Sequence, residues 1–443
     1  MSGLSRRRFL AAMGATGAVG GMGALATGCA TASPAEPVTE GAVGLKLWTH
    51  DPSYTETFQA ALNDRRIMRG SAYTPSLEVT AASGADLLTR TITQFMADGS
   101  PPDLLGIIIS EFPRVMKGDL AESLFLDLSE IAEPFGDDLL RREPYSLNGR
   151  LYGLDSDTSI SVLYYRPDAF DRAGLPADAA TWDEMLDIGG RLNQATGKSI
   201  GMVSNGDNTS LYNTYLQLLV QRGGSPFDAE GNLTIDTDES AEALDLLQRG
   251  VANGSFLVVG DPYGAAAGAA LKSGLLVAVT MPSWYRVYGL EANAPEQAGQ
   301  WRLRTLPRFS GGGHIASALG GTGFTVSAVN PGREAALDLL RRVYLSPEGQ
   351  LLRFRTGGFL PTLRSLYTEP DFTSYRDEFL GGQQSFREYA RAAEDLPEFF
   401  LSENNEALVV AIGAPILGLY DGDLTPAQVI REATDSYRRQ VRS

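Results

Sequence analysis

YGLDSDTSISVLYYRPDAFDRAGLPADAATWDEM, residues 152–185, decides the fold of this chain. Ile160, Val162 and Tyr164 alternate with Ser161, Leu163 and Tyr165, the period-2 pattern of a strand. Pro167 ends that strand and opens a short helix, PDAFDRA, which Gly174 closes. Thr181-Trp182-Asp183-Glu184 is a capping box. It starts a longer helix with Trp182, Met185, Leu186, Gly189 and Leu192 on one face. Trp182 thus points inward and is read as core. Local physics predicts strand, short helix, loop, long helix.

Upstream, the same alternation of strand and helix repeats. Leu45–Trp48 and Leu77–Val79 read as strands. Helices are predicted around Thr55–Arg66, with Phe58 and Leu62 inward, and over Asp86–Met96. Pro101-Pro102-Asp103 introduces Leu104–Ile109, a continuous aliphatic run typical of a parallel strand covered on both faces. This order predicts an α/β domain with a mostly parallel sheet, whose ligands sit beyond the carboxyl ends of the strands. That rule selects Trp48, Asp51 and Glu111, with Tyr54 and Phe112 beside them. Downstream, helices are expected over Leu211–Arg222, Ser240–Val251 and Glu334–Leu345, the last with Asn330-Pro331 as N-cap and first helical residue. Leu275–Met281 is a buried strand running into Pro282-Ser283-Trp284-Tyr285, and Gly320–Val326 is a glycine-rich turn entering another.

With 443 residues, 43% of them hydrophobic and 21% charged, the composition is that of a globular protein of two domains. A net charge of −17 excludes a nucleic-acid partner, because neutralising phosphates needs a basic face. Residues 1–28 read as an export signal: Ser5-Arg6-Arg7-Arg8-Phe9-Leu10 fits the twin-arginine pattern, and the Ala/Gly/Met region that follows is too short to stay in a bilayer. Leu25-Ala26-Thr27-Gly28-Cys29 resembles a lipobox, with Ala26 where a large aliphatic residue is usual. Cys29 is the only cysteine, so no intramolecular disulfide is available to it. Acylation would anchor the protein to the outer face of the cell membrane. A cleaved signal before an unmodified thiol, leaving the protein periplasmic, is the alternative. Residues 29–42 read as a flexible tether.

Four motifs carry a family resemblance. YGL-D-x-D with LYYRPDAFDRAGL and TWDEM, then PSWY after a buried strand, then GGTGFTV, then Gly357-Gly358-Phe359-Leu360-Pro361, resemble in this order the carbohydrate-type extracellular solute-binding proteins of ABC importers, the maltose-binding-protein-like group. The resemblance spans nearly all of the chain after the signal. It implies two α/β lobes, each a mostly parallel sheet flanked by helices: residues 43–154 with 315–360, and 155–314 with 361–443. The chain would pass between them near residues 155, 314 and 360. It further implies an interlobe cleft that captures a sugar or oligosaccharide and closes by a hinge, a monomer delivering its ligand to membrane permease subunits, and no cofactor or metal.

Sugars offer hydroxyls that want directional hydrogen bonds and C–H faces that pack on aromatic rings. Trp284, with Tyr285 beside it, matches the family's stacking position; a tryptophan following a buried strand is otherwise core. Asp155 and Asp157 sit on the first passage, as ligand carboxylates or as turn caps. Asn205, Asn208 and Tyr212 come from the loop before a helix. Gly321 and Thr322 could present backbone N–H groups, and Phe359 lies on the last passage. Catalysis has little support. His50 and His314 are the only histidines, there is no HExxH, CxxC or GxSxG pattern, and Gly311-Gly312-Gly313 lacks a P-loop lysine. Two classes stay open beside the sugar carrier: a binding protein for another solute such as a polyamine, phosphodiester or metal complex, and an exported carbohydrate-active enzyme with two carboxylates.

Overall fold

The computed structural model describes residues 36–442. The export signal and Cys29 lie outside the described residues, as does the first half of the tether, while its last residues, Gly41 and Ala42, already belong to a strand. Strand β1 (Gly41–Thr49), helix α1 (Pro52–Asn63), β2 (Tyr73–Ala81), α2 (Gly84–Met96) and β3 (Leu104–Ile108) follow in chain order, with β1 parallel to both β2 and β3. The caps are local: Asp51 accepts from Ser53 N at 2.8 Å with Pro52 at the first helical position, and Ser83 accepts from Asp86 N at 3.2 Å. Helix α2 buries Leu87, Leu88, Thr91 and Phe95, spaced to share one face against the sheet.

Next come β4 (Leu154–Asp155), β5 (Ile160–Tyr165), α3 (Pro167–Ala173) and α4 (Trp182–Thr196). The capping box at Thr181 and Glu184 is present, and Gly174 closes α3 in the left-handed conformation with φ 65°. Trp182 is buried and donates from Nε1 to Gln221 Oε1 at 3.0 Å, a core residue as its helix face implies. The chain continues through β6 (Gly201–Ser204), α5 (Asn208–Arg222), α6 (Asp238–Ala252), β7 (Phe256–Val259), β8 (Ala278–Pro282), β9 (Arg302–Arg304), β10 (Ser317–Ala318) and β11 (Thr322–Val326). It ends through α7 (Arg333–Tyr344), α8 (Pro347–Gly357), α9 (Asn405–Tyr420) and α10 (Pro426–Val441). Asn330 is not the cap of α7; Gly332 takes that place. The buried Asn330 amide instead donates to Pro101 O and Asp103 Oδ1, tying the segment before α7 to the loop that leads into β3.

The protein is a two-lobed α/β structure. The first lobe's sheet runs β2-β1-β3-β11-β4, with β11 antiparallel to its neighbours. The expectation of a mostly parallel sheet holds there and is corrected in the second lobe. There β5 pairs antiparallel with β8 on one edge and with β9 and β10 on the other, and only β6 and β7 form a parallel strand pair. An apolar run such as Leu275–Met281 reports that both faces are covered. It carries no information on strand direction.

Three short segments join the lobes. Asp155 still pairs with β11 of the first sheet and Ile160 opens the second, so the first passage is Ser156–Ser159. Ser317 and Ala318 still pair with β5, which moves the second passage from residue 314 to Leu319–Gly321. The third follows α8, which Gly358 closes at φ 69°, and runs through Phe359 to Pro361.

Candidate functional site

A cavity of about 440 Å³ lies where the lobes and all three passages meet. The first lobe supplies His50, Asp51 and Tyr54 after β1, and Ile108–Ser110 at the end of β3, which are the carboxyl ends of its central strands. The passages supply Asp157, Ser159, Leu319–Thr322 and Phe359. The second lobe supplies Tyr212, Asn213 and Leu216 from α5, Tyr263, Trp284 and Tyr288 from loops and turns, and Phe399, Leu401 and Asn405.

Rings dominate the walls. Trp284 is half-buried, with the Tyr263 ring 5.7 Å away at 39°. Tyr263 is 52% exposed, and the Asp261 carboxylate accepts its backbone N–H at 2.8 Å, a turn that projects the ring. Opposite, Tyr54 stacks on Phe359 at 4.6 Å with 8° between the planes. Tyr54 and Phe359 are themselves buried, whereas the partly exposed planes of Trp284 and Tyr263 suit the C–H faces of a bound molecule.

Beneath the cavity lies its floor, a layer of buried polar groups that pair with one another, although Arg141 Nε and Asp155 Oδ2 have no hydrogen-bond partner among the described residues. Arg141 forms an ion pair with Asp155 at 3.3 Å and donates to Thr158 O and Gly320 O, each at 3.0 Å, so one guanidinium holds the first and second passages. Asp157 accepts from Leu360 N at 2.9 Å and from Ser283 Oγ at 3.1 Å, which ties in the third passage and the second lobe. Thr158 donates its hydroxyl to Pro361 O, and Tyr367 donates its own to Thr158 Oγ1 at 3.0 Å. Gly321, at φ 118°, must be glycine: a Cβ there would sit 3.1 Å from Asp155 Oδ1 and 3.2 Å from Arg141 Nη1. Burial pushes the Asp155 carboxyl from 3.8 up to about 7, with Arg141 opposing it, and burial raises Asp157 as well. Burial lowers His50, which keeps its imidazole neutral near pH 7; its Nδ1 has no hydrogen-bond partner among the described residues.

Of the residues selected from sequence, Asp51, Tyr54, Asp157, Tyr212, Trp284, Gly321, Thr322 and Phe359 line this cavity. Tyr212 is mostly covered and donates to Asn405 Oδ1 at 3.0 Å. Trp48, Glu111, Asp155, Asn205 and Tyr285 do not line it, and each is used elsewhere. Trp48 is 8% exposed inside β1, between Thr80 and Leu105. Glu111 pairs with Arg114 at 2.6 Å. Asp155 is spent on Arg141. Asn205 has an exposed side chain and a backbone N–H bound to Val259 O. Tyr285 is buried, with its hydroxyl donating to Pro262 O at 3.3 Å. Phe112 is core against Tyr145, and Asn208 opens α5 away from the cavity.

Sequence reasoning missed Tyr263, Tyr288, Phe399 and Asn405. Only Tyr263 left a signal, as an aromatic at the tip of an Asp-Pro-Tyr-Gly turn.

The family model described as bacterial extracellular solute-binding protein matches residues 70–378. The chain belongs to that family. Similar solute-binding proteins include the arabinooligosaccharide-binding protein of Halalkalibacterium halodurans, 26% identical over 410 residues that cover 90% of this chain and 89% of the relative. The lactose-binding protein of Rhizobium radiobacter is 24% identical, with coverage of 92% and 93%. Among solved solute-binding structures, the sugar-binding protein MalE of Xanthomonas citri matches with a TM-score of 0.73 at 15% identity, over 90% of this chain and 98% of that one. The galacto-N-biose/lacto-N-biose I-binding protein of the ABC transporter of Bifidobacterium longum gives 0.70 at 18%, over 91% and 98%. At those identities the structural likeness speaks for the fold.

Proposed function

We propose that this extracellular solute-binding protein is the substrate-binding component of an ABC importer, and that it captures a neutral sugar or short oligosaccharide in the interlobe cavity for delivery to permease subunits. The observation that carries this is the cavity's charge inventory. Its lining contains no Lys or Arg to hold an anion. Of its two carboxylates, Asp157 already accepts from Leu360 N and Ser283 Oγ, and Asp51 caps α1. A phosphodiester would lack positive charge there, and a polyamine would find only these two carboxylates, both already hydrogen-bonded to the protein. Exposed rings with hydroxyls and amides between them suit a polyhydroxylated ring. The names of the similar proteins, which bind arabino-oligosaccharides and lactose, support the same ligand class. In this reading the ligand favours one of two lobe arrangements by its contacts to both.

The protein would reach its place of action through the twin-arginine signal and be held there by acyl chains on Cys29, acting as a monomer. Titration calorimetry against arabino-, malto- and galacto-oligosaccharides, with spermidine and glycerophosphodiesters as controls, tests the ligand class. Heat with at least one sugar and none with the controls is expected; heat only with spermidine would overturn it. Sugar consumed into shorter products would move the protein to the enzymes. For the anchor, Cys29→Ala should shift the protein from the membrane fraction to the soluble one.

A further inference from the structure

A second cavity, of about 580 Å³, adjoins the first. The wall between them is thin. Along the third passage Phe359 faces the first cavity, while Gly358 and Leu360 face the second. Along the segment after β8, Trp284 faces the first and Ser283 the second. Tyr288 lines both. Its hydroxyl lies 2.8 Å from Ser53 Oγ at the start of α1, a hydrogen bond that joins the two lobes. Asp51 lies on the first side of this pair and Ser53 on the second. The Tyr288–Ser53 bond is therefore the side-chain part of the partition, and Tyr288 is still 37% exposed.

The second cavity differs in chemistry from the first. The Arg286 guanidinium is held by Asp377 at 3.2 Å and by Glu291 at 3.1 Å, which fixes a planar donor–acceptor array in its wall. The Phe354 and Tyr375 rings meet edge to face at 5.0 Å beside it. Aromatic edges next to a locked Arg–carboxylate network can bind hydroxyls without importing net charge.

We propose that the second cavity is an extension subsite for oligosaccharides, and that the Tyr288–Ser53 hydrogen bond is the gate that a longer chain must open to occupy it. The proposal rests on the sugar-binding reading above and adds a length rule to it. Short chains end at the Tyr288 ring and leave the bond intact. Longer ones break it, and the gain from the second cavity is reduced by the loss of one interlobe hydrogen bond.

The test is calorimetry with maltose to maltohexaose and arabinobiose to arabinohexaose on wild type, Tyr288→Phe and Ser374→Trp. Ser374 is an exposed residue on the rim of the second cavity, so the indole fills the space without touching the first. In Ser374→Trp, affinity for the longest chain that binds should fall at least tenfold while the two-unit chain stays within twofold. In Tyr288→Phe, the ratio of long- to short-chain affinity should rise about threefold to tenfold, the range of one net hydrogen bond. As a second measurement, an environment-sensitive dye on Ser374→Cys in a Cys29→Ala background should shift its emission with six units and not with two. Chains that bind with unchanged length ratios in both variants and a silent dye overturn the subsite and leave the sugar reading standing. No binding by any chain of either series overturns both.

Discussion

The floor of the first cavity and its second-lobe wall are made of opposite materials. The floor is charged and almost sealed: Arg141 and Asp155 have side chains 4% and 1% exposed, and Asp157 has donors on both oxygens. The wall is aromatic and open, with Trp284 half-buried and Tyr263 more than half exposed. In a charged residue near a cleft it is natural to see a ligand partner. Here the charges hold three pieces of backbone together, and the groups left free to meet a ligand are rings. Buried charge costs free energy unless it is paired, and here the Arg141–Asp155 ion pair and the two hydrogen bonds to Asp157 engage these charges within the fold, with Arg141 Nε and Asp155 Oδ2 the exceptions.

Arg141→Ala attacks the comparison hardest. It strands the Asp155 carboxylate and frees the carbonyls of Thr158 and Gly320, a loss of about 3–5 kcal/mol of stability in chemical denaturation. A variant of wild-type stability that no longer binds sugar would make the floor a recognition surface after all.

Asp155→Asn should produce a pH-dependent change of comparable size. The folded protein holds the Asp155 proton with a pKa of about 7 against 3.8 ordinarily, so the native state binds it more tightly than the unfolded chain does. Stability from this group is present at low pH and is lost as pH rises through about 7. Asparagine does not titrate. The stability of Asp155→Asn relative to wild type should therefore rise by on the order of 4 kcal/mol between about pH 4 and about pH 8. A flat difference would show that Asp155 stays ionised throughout.

Trp284→Ala tests the wall. Sugar affinity should fall by about tenfold or more, ~1.4 kcal/mol, with little change in unfolding. Unchanged affinity in a folded variant would return Trp284 to the core. The smallest effect belongs to Glu111→Ala. Its pairing with Arg114 is partly exposed and worth no more than about 0.5 kcal/mol, and ligand affinity should not move.

The helices and their ends were legible because caps and hydrophobic periodicity are local; the lobes and the passages between them were only what the family resemblance implied. Thr181 with Glu184, and Pro167 with Gly174, act within a few residues, and the structure places them where the spacing predicts. The site was legible only in part. Asp155 and Asp157 look identical from sequence. Which oxygens are already taken depends on Arg141, Ser283 and Leu360, distant along the chain and adjacent only in space. Trp284 and Tyr285 are neighbours, yet one faces the cavity and the other reaches Pro262, because the strand ends at Pro282 and the chain turns through Ser283 and Trp284 into a helical turn. Tyr288 sits in a short π-helical segment and Phe399 in a loop, both too short for periodicity to say which way a ring points. The pairing direction of the second sheet was hidden for the same reason: it belongs to the partner strand.

Three connections between two bodies could act as three independent ropes. Here Arg141 ties the first to the second, while Asp157 and Thr158 tie the first to the third. Cross-tied ropes behave as a single pin. They resist twisting and sliding and leave bending about one axis as the cheap displacement. On such a joint each swing retraces the same arc. Tyr288 and Ser53, one from each lobe, would then meet at the same point each time, as the two halves of a clasp do.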